Sequence, residues 1–447
     1  MSGDGGRARS GDRGSNNRRK PWLRIAVLGV ASLVSGCAPV LGDEPFACVE
    51  GGVCPDGYSC QAMVCVRDGV KPSARHLARV DWINPPEMYW FAASDGGATL
   101  LINDGFSPGK KGIYEIHVSK DGATTGPSPL FPYGDGPALS SAIVILPDGR
   151  YGVVTVGFPN IEEDVTTLSF LGIERDVASG TTPGVEKLFG ATTPYLGGVE
   201  PPYVGAVVDG ATVDIAWATP SEGGQAEVLH LARQGSLWSA AWTAKALLPP
   251  DVLPLSGDCQ LFRADDGLLT LRAGFENYAL STIDATGLMT PFEMTTDEPL
   301  FRWSEGVFAL RRGDYDPVAS TYAVSFVLLD AAGAVVSADT GYKLRDTASP
   351  FVGTPFEGGV LIAPVSREAD LPSIDIGFRT PTDSLRIVGS VPRPSREPLY
   401  TARAFAVGET AYVAWTEFHE SSMDLWVGTS PLTRSGMALR TAPEVSP

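Results

Sequence analysis

Four cysteines fall within eighteen residues, Cys48, Cys54, Cys60 and Cys65, spaced C-x5-C-x5-C-x4-C. Zinc and disulfide chemistry both use such clusters. Zinc sites favour tighter C-x2–4-C pairs backed by His, and no His lies among these four. In an exported chain the oxidising compartment makes disulfides the default. Four cysteines allow three connectivities, and the spacing does not choose among them. Cys259 stands far from the cluster and reads as a buried, inert thiol. The four histidines, His76, His117, His230 and His419, are dispersed, and His117 and His230 lie in strand-like runs. The chain has no HExxH, no Walker loop, no GxSxG elbow and no GxGxxG after a strand. A catalytic constellation is not legible, which favours a non-catalytic role.

Acids form the second candidate set: Asp104, Glu163, Asp164, Glu222, Glu276, Asp314, Asp316, Glu368, Asp370 and Glu417. They matter because of what precedes each group. A turn containing Gly leads into an apolar or alternating run at Gly97, Gly149, Gly210, Gly267, Gly306, Gly359 and Gly408. Such Gly turns join paired strands, because Gly accepts positive φ without a Cβ clash. The intervals are 52, 61, 57, 39, 53 and 49 residues. Another apolar run stands upstream of each turn and a third downstream, so each unit holds three or four strands. Gly210 to Trp217 and Gly408 to Trp415 align without a gap, sharing Gly, Thr and a closing Ala-Trp. Trp217 and Trp415 read as packing residues between such units.

Repeated units of this length are the signature of propeller blades. The expectation is an all-β chain with a seven-bladed β-propeller over residues 82–445, with six or eight blades as the alternatives if the short interval is miscounted. Two stacked β-sandwiches are the rival architecture. In a propeller the loop after each second strand opens on one face, so the acids would form a carboxylate ring there. That ring could take a divalent cation such as calcium, a cationic sugar or a basic protein surface. Exposed loops of an acidic protein are, equally, acidic in any case. No organic cofactor is expected.

Three short resemblances add to this reading. Cys54-Pro55-Asp56-Gly57-Tyr58-Ser59-Cys60 resembles small, loosely EGF-like CP-x-G-x-x-C modules. A module over 48–70 is too short for its own apolar core and would depend on its bridges. Ala93-Ser94-Asp95-Gly96-Gly97-Ala98-Thr99-Leu100 resembles the sialidase Asp-box, S-x-D-x-G-x-T-W, with Ala93 in place of Ser and Leu100 in place of Trp. The Asp-box is a turn motif of propeller blades and carries no catalysis itself. At the start of the chain, seven Arg and Lys precede the apolar run Ile25 to Val34, and Val34-Ser35-Gly36-Cys37 follows. This resembles the lipobox of bacterial lipoproteins. The run is too short for a spanning helix.

The lipobox resemblance implies cleavage before Cys37 and lipid attachment at its thiol and new amine. Several acyl chains anchor stably where one is marginal. Residues 1–36 would then be the signal peptide and 37–47 a lipidated tether. Ala38, in place of Asp, favours the outer membrane. The 411-residue chain from Cys37 carries 27 basic against 50 acidic side chains, which repels nucleic acid.

The expected protein is thus a lipid-anchored, monomeric module of the cell envelope. It would present its acidic propeller face to an envelope protein or glycan. The alternatives are a propeller hydrolase or lyase acting on a carbohydrate or lactone, and a surface adhesion or recognition protein.

Overall fold

The computed structural model describes residues 46–47 and 53–433, apart from 62–63, 68–72, 81–86, 105–110, 133–139, 157–164, 176–181, 195–202, 219–224, 236, 248–257, 264–268, 275–277, 292–297, 304–305, 319–320, 331–333, 346–352, 366–372, 381, 396, 398 and 420–421. The expected signal peptide, Cys37, the expected tether as far as residue 45, and Cys48 lie outside the described residues. Every regular element among those described is a strand.

Seven four-stranded antiparallel sheets follow one another along the chain as the blades of a propeller. Blades 1 to 6 occupy residues 87–132, 140–194, 203–247, 258–291, 298–345 and 354–392. Blade 7 takes three strands from 399–431 and its fourth, outermost strand from Ala74–Val80 near the other end of the chain. The register closes the ring, with Met423 opposite Val80 and Gly428 opposite Ala74. The propeller therefore starts at Ala74, ahead of the boundary at 82 expected from the repeats. The closing strand has no Gly-turn partner of its own in sequence, so the repeat pattern could not include it.

Six of the seven Gly turns of the repeat join a blade's first strand to its second among the described residues, and Gly267 lies outside them. Gly149 and Gly408, with φ of 84° and 59°, occupy the left-handed region that the turns into Tyr151–Val156 and Thr410–His419 require. The second strands pack on both faces against neighbouring blades, which explains their unbroken apolar runs. Tyr151–Val156 is buried at every position. Outer strands such as Thr124–Pro132 are mostly exposed.

Core side chains fill the wedges between blades. Leu101, Ile113, Ile143, Tyr151 and Val153 join blades 1 and 2. Val154, Phe170, Ile215 and Trp217 join blades 2 and 3. Ile374, Ile376, Val413, Trp415 and Trp426 join blades 6 and 7. Leu100, Ile116, Tyr412 and Leu425 complete the circle between blades 7 and 1. Trp217 and Trp415 are therefore packing residues, as expected.

Ahead of the ring, Phe46–Ala47, Tyr58–Gln61 and Val64–Arg67 form a small sheet with Val64–Arg67 at its centre. Cys54 and Cys65 are joined by a disulfide and Cys60 is also disulfide-bonded. Cys259 is buried and takes part in no disulfide.

Candidate functional site

The first strand of each blade faces the propeller axis. A cavity of about 460 Å³ runs along that axis, lined by first strands of blades 1, 2, 3, 4 and 7 and by Gly353–Pro355 of blade 6. Its volume falls in the range of small-molecule sites. Two faces can be told apart by strand direction. The lower face carries the turns between first and second strands and between third and fourth; the upper face carries the ends of the second and fourth strands.

Glu87 heads the strand Glu87–Ala92 and so stands at the upper end of the channel. Its Oε2 accepts hydrogen bonds from Asn103 Nδ2 at 2.7 Å and Ser141 Oγ at 3.2 Å. The Tyr89 hydroxyl lies 3.2 Å from the same oxygen and donates to the Ser141 carbonyl at 2.7 Å. Asn103 faces Glu87 in the strand register, so the amide is placed by sheet pairing rather than by a loop. Ser141 comes from the neighbouring blade. The carboxylate thus joins blades 1 and 2 at the channel wall.

Arg263 ends the strand Asp258–Arg263 and stands at the lower end of the channel. Its Nη2 donates to Asp214 Oδ2 at 2.6 Å, and its Nη1 lies 3.3 Å from Asp209 Oδ2. Asp214 is fully buried, with its other oxygen 2.6 Å from His230 Nδ1. The His230 ring stacks on Trp242 at 4.7 Å and 5°. Burial pushes the Asp214 carboxyl above the ordinary value, against the opposing pull of His230 and Arg263. Arg403 also lines the channel, and its carbonyl accepts the Trp90 indole N–H at 3.3 Å. The channel therefore carries a carboxylate at its upper end and a guanidinium at its lower end.

The acids expected to ring the upper face divide into four groups. Asp314 and Asp316 are exposed near the end of Gly306–Asp316. Asp104 ends the strand Ala98–Asp104. Glu163, Asp164, Glu222, Glu276, Glu368 and Asp370 lie outside the described residues. Glu417 departs from the expectation: it is fully buried and no part of an open face. Its Oε1 accepts from Arg393 Nε at 2.9 Å and Trp415 Nε1 at 3.2 Å. Strand Thr410–His419 continues further than the repeat implied, which draws Glu417 into the sheet. Among the described residues no group of three His, Cys, Asp or Glu is placed to hold a metal ion.

The Asp-box-like turn has the hydrogen bonding its residues imply. Asp95 Oδ1 accepts the Gly97 N–H at 2.9 Å, and the Ala93 N–H donates to the Gly97 carbonyl at 3.0 Å. This bond is the leading cause of the lowered Asp95 carboxyl, with His117 Nε2 at 3.0 Å adding to it. The turn lies on the lower face and shapes a hairpin. Glu87, Asn103, Ser141, Arg263 and Arg403 were missed by sequence reasoning: all but Asn103 sit on first strands rather than after the repeated Gly turns, and Asn103, on the second strand of blade 1, is an uncharged residue beside the acid Asp104. An acid heading the aromatic run Glu87-Met88-Tyr89-Trp90-Phe91 was the available signal.

No protein-family model matches the sequence, and no curated protein matches it. Among solved structures, the chain is similar to a puromycin hydrolase at 16% identity and a TM-score of 0.41, covering 78% of this chain and 53% of the hydrolase. A NanB sialidase from Streptococcus pneumoniae matches at 11% identity and 0.41, covering 80% and 70%. A putative 6-phosphogluconolactonase from Bacteroides uniformis matches at 15% and 0.41, covering 73% and 93%. This chain thus spans about half the length of the puromycin hydrolase. Such likenesses transfer no activity, and the propeller is established by the seven sheets themselves.

Proposed function

We propose that the protein is a lipid-anchored module of the bacterial cell envelope whose propeller binds a small polyhydroxylated ligand, a glycan, at the upper mouth of its channel. The observation that carries this reading is the Glu87 cluster. A carboxylate, an acceptor-only group suited to hydroxyl donors, is oriented by Asn103 and Ser141 at the wall of a ligand-sized cavity. The lining residues Tyr89, Trp90 and Phe91 add apolar and aromatic surface, the usual complement of a few convergent polar groups. The signal-like segment ending at Cys37 supports the envelope location, and a rigid ring of blades suits a presenting surface.

The test is a glycan array probed with the purified chain and with Glu87→Gln, each first checked for native circular dichroism. Retained glycans whose binding falls at least about tenfold in Glu87→Gln, the loss expected when a charged hydrogen bond becomes a neutral one, support the reading. Binding indifferent to Glu87→Gln, or release of cleaved glycan, overturns it.

A further inference from the structure

Six exposed aliphatic side chains lie at or next to the start of the fourth strand in five successive blades. Val185, Leu237, Leu288, Val335, Val336 and Ile387 are between 43% and 72% exposed. Val185, Leu237 and Val335 begin fourth strands of their blades, Val336 and Ile387 are the second residues of theirs, and Leu288 immediately precedes one. The blades are 2, 3, 4, 5 and 6. A fourth strand begins at the lower face, so all six mark the rim of that face. On the upper side of the ring, the exposed large apolar residues among those described are Val318 and Phe418. Single exposed aliphatics need no explanation, but their recurrence at one rim does.

The entry of the chain supplies an independent direction. The closing strand Ala74–Val80 starts at the lower face, where Ala74 pairs with Gly428. Two further bonds fix its start there. The Thr429 N–H donates to the Ser73 carbonyl at 2.9 Å, and Arg75 Nε donates to the carbonyl of Gly122 at 2.7 Å. Gly122 belongs to the lower-face turn between the third and fourth strands of blade 1. Cys37 therefore connects to the ring through its lower face, 36 residues before Ser73.

We propose that the lower face is the membrane-facing face of the anchored protein, and that the aliphatic hairpin tips of blades 2 to 6 rest in the boundary between lipid headgroups and acyl chains. The proposal rests on the lipid-anchor reading. Acyl chains on Cys37 hold the ring at high local concentration over the bilayer, so weak insertion by a few side chains suffices to orient it. The lower-face turns carry exposed acids of their own, among them Asp95, Asp121, Asp148 and Asp209, so insertion has to come from the aliphatic side chains and the anchor rather than from charge. The upper mouth of the channel, with Glu87, then faces away from the lipid and stays open to ligand. A second copy pressed lower face to lower face would trap both tethers in the contact, which makes lipid the better occupant.

Hydrogen exchange on the full lipidated chain bound to vesicles of phosphatidylethanolamine and phosphatidylglycerol tests this, against the Cys37→Ala chain in buffer. Slowed exchange at 235–238, 286–289 and 334–337, with 314–318 unchanged, is the expected result. That slowing is lost in Leu237→Ser/Leu288→Ser/Val336→Ser while the chain still sediments with vesicles. A vesicle-bound chain whose hairpins exchange as in buffer overturns the orientation and leaves the anchor standing. Equal sedimentation of the wild type and Cys37→Ala overturns the anchor and this proposal with it. Concentration-dependent protection without vesicles assigns the rim to a second copy, and also overturns it.

Discussion

Arg263 Nη2 lies 2.6 Å from Asp214 Oδ2, a bond that crosses from the innermost strand of blade 4 to the second strand of blade 3. The other carboxylate oxygen is 2.6 Å from His230 on the third strand of blade 3. One buried carboxylate therefore holds a blade interface together and aims a guanidinium at the channel. Removing one partner of a buried pair strands the other charge. Asp214→Asn is expected to lower unfolding free energy by about 3 kcal/mol, the lower end of the range for such losses because Arg263 is 22% exposed. Urea unfolding measures it, and a change below about 1 kcal/mol, ordinary for a solvent-exposed pair, would show that the interface does not depend on this carboxylate.

The ring closure should be acid-sensitive. Asp424 on the third strand of blade 7 accepts from Arg79 Nε at 2.8 Å and lies 3.0 Å from His76 Nε2, and both partners belong to the closing strand. Burial raises the Asp424 carboxyl, but its bonds to His76 and Arg79 outweigh that and hold it well below the ordinary value of 3.8. A carboxyl depressed in the folded state stabilises above its unfolded pKa, and that contribution is lost as pH falls through the folded value. Acid unfolding followed by tryptophan fluorescence should therefore show a limb below about pH 4 that is flattened in Asp424→Asn. An unchanged acid limb in the variant would refute the assignment.

Blade number and order were legible because each blade repeats one local event, a Gly turn feeding a strand buried on both faces. Gly149 before Tyr151–Val156 and Gly408 before Thr410–His419 show that event in sequence and structure alike. Ala74–Val80 was not legible as part of the ring, since its partner Ser422–Pro431 lies over 340 residues away and nothing local reports the pairing. The candidate site was less legible still. In sequence Glu417 comes after a Gly-turn run as the other acids do, and only the course of Thr410–His419 against Arg393 shows that it is buried. Glu87 and Arg263 meet the channel through blade order rather than through sequence spacing.

Close approach between inner strands gives a third expectation. A Cβ on Gly205 would stand 2.5 Å from the Cys259 carbonyl oxygen and 3.0 Å from Gln260 Cα. Both obstacles are backbone, so they cannot turn aside as a side chain would. Gly205→Ala must therefore spread blades 3 and 4 at the channel, at a cost of about 1–3 kcal/mol. Thermal unfolding reads the loss. A variant as stable as the wild type would mean that the inner strands do not meet this closely.

The bridge between Cys54 and Cys65 removes the ambiguity left by the cysteine spacing. Of the three pairings open to Cys48, Cys54, Cys60 and Cys65, only one contains it. Peptide mapping under non-reducing conditions is expected to recover Cys54 linked to Cys65, which are 11 residues apart. A loop of this length gains about 3 kcal/mol from its bridge in the chain-entropy model, a large share for a module with so small a sheet. The propeller, by contrast, is closed by the pairing of Ala74–Val80 with Ser422–Pro431 and contains no disulfide among its described residues. Cys54→Ala/Cys65→Ala should therefore make residues 46–67 sensitive to protease while the propeller keeps its melting temperature. A propeller that melts earlier in this variant would show that the module braces the ring.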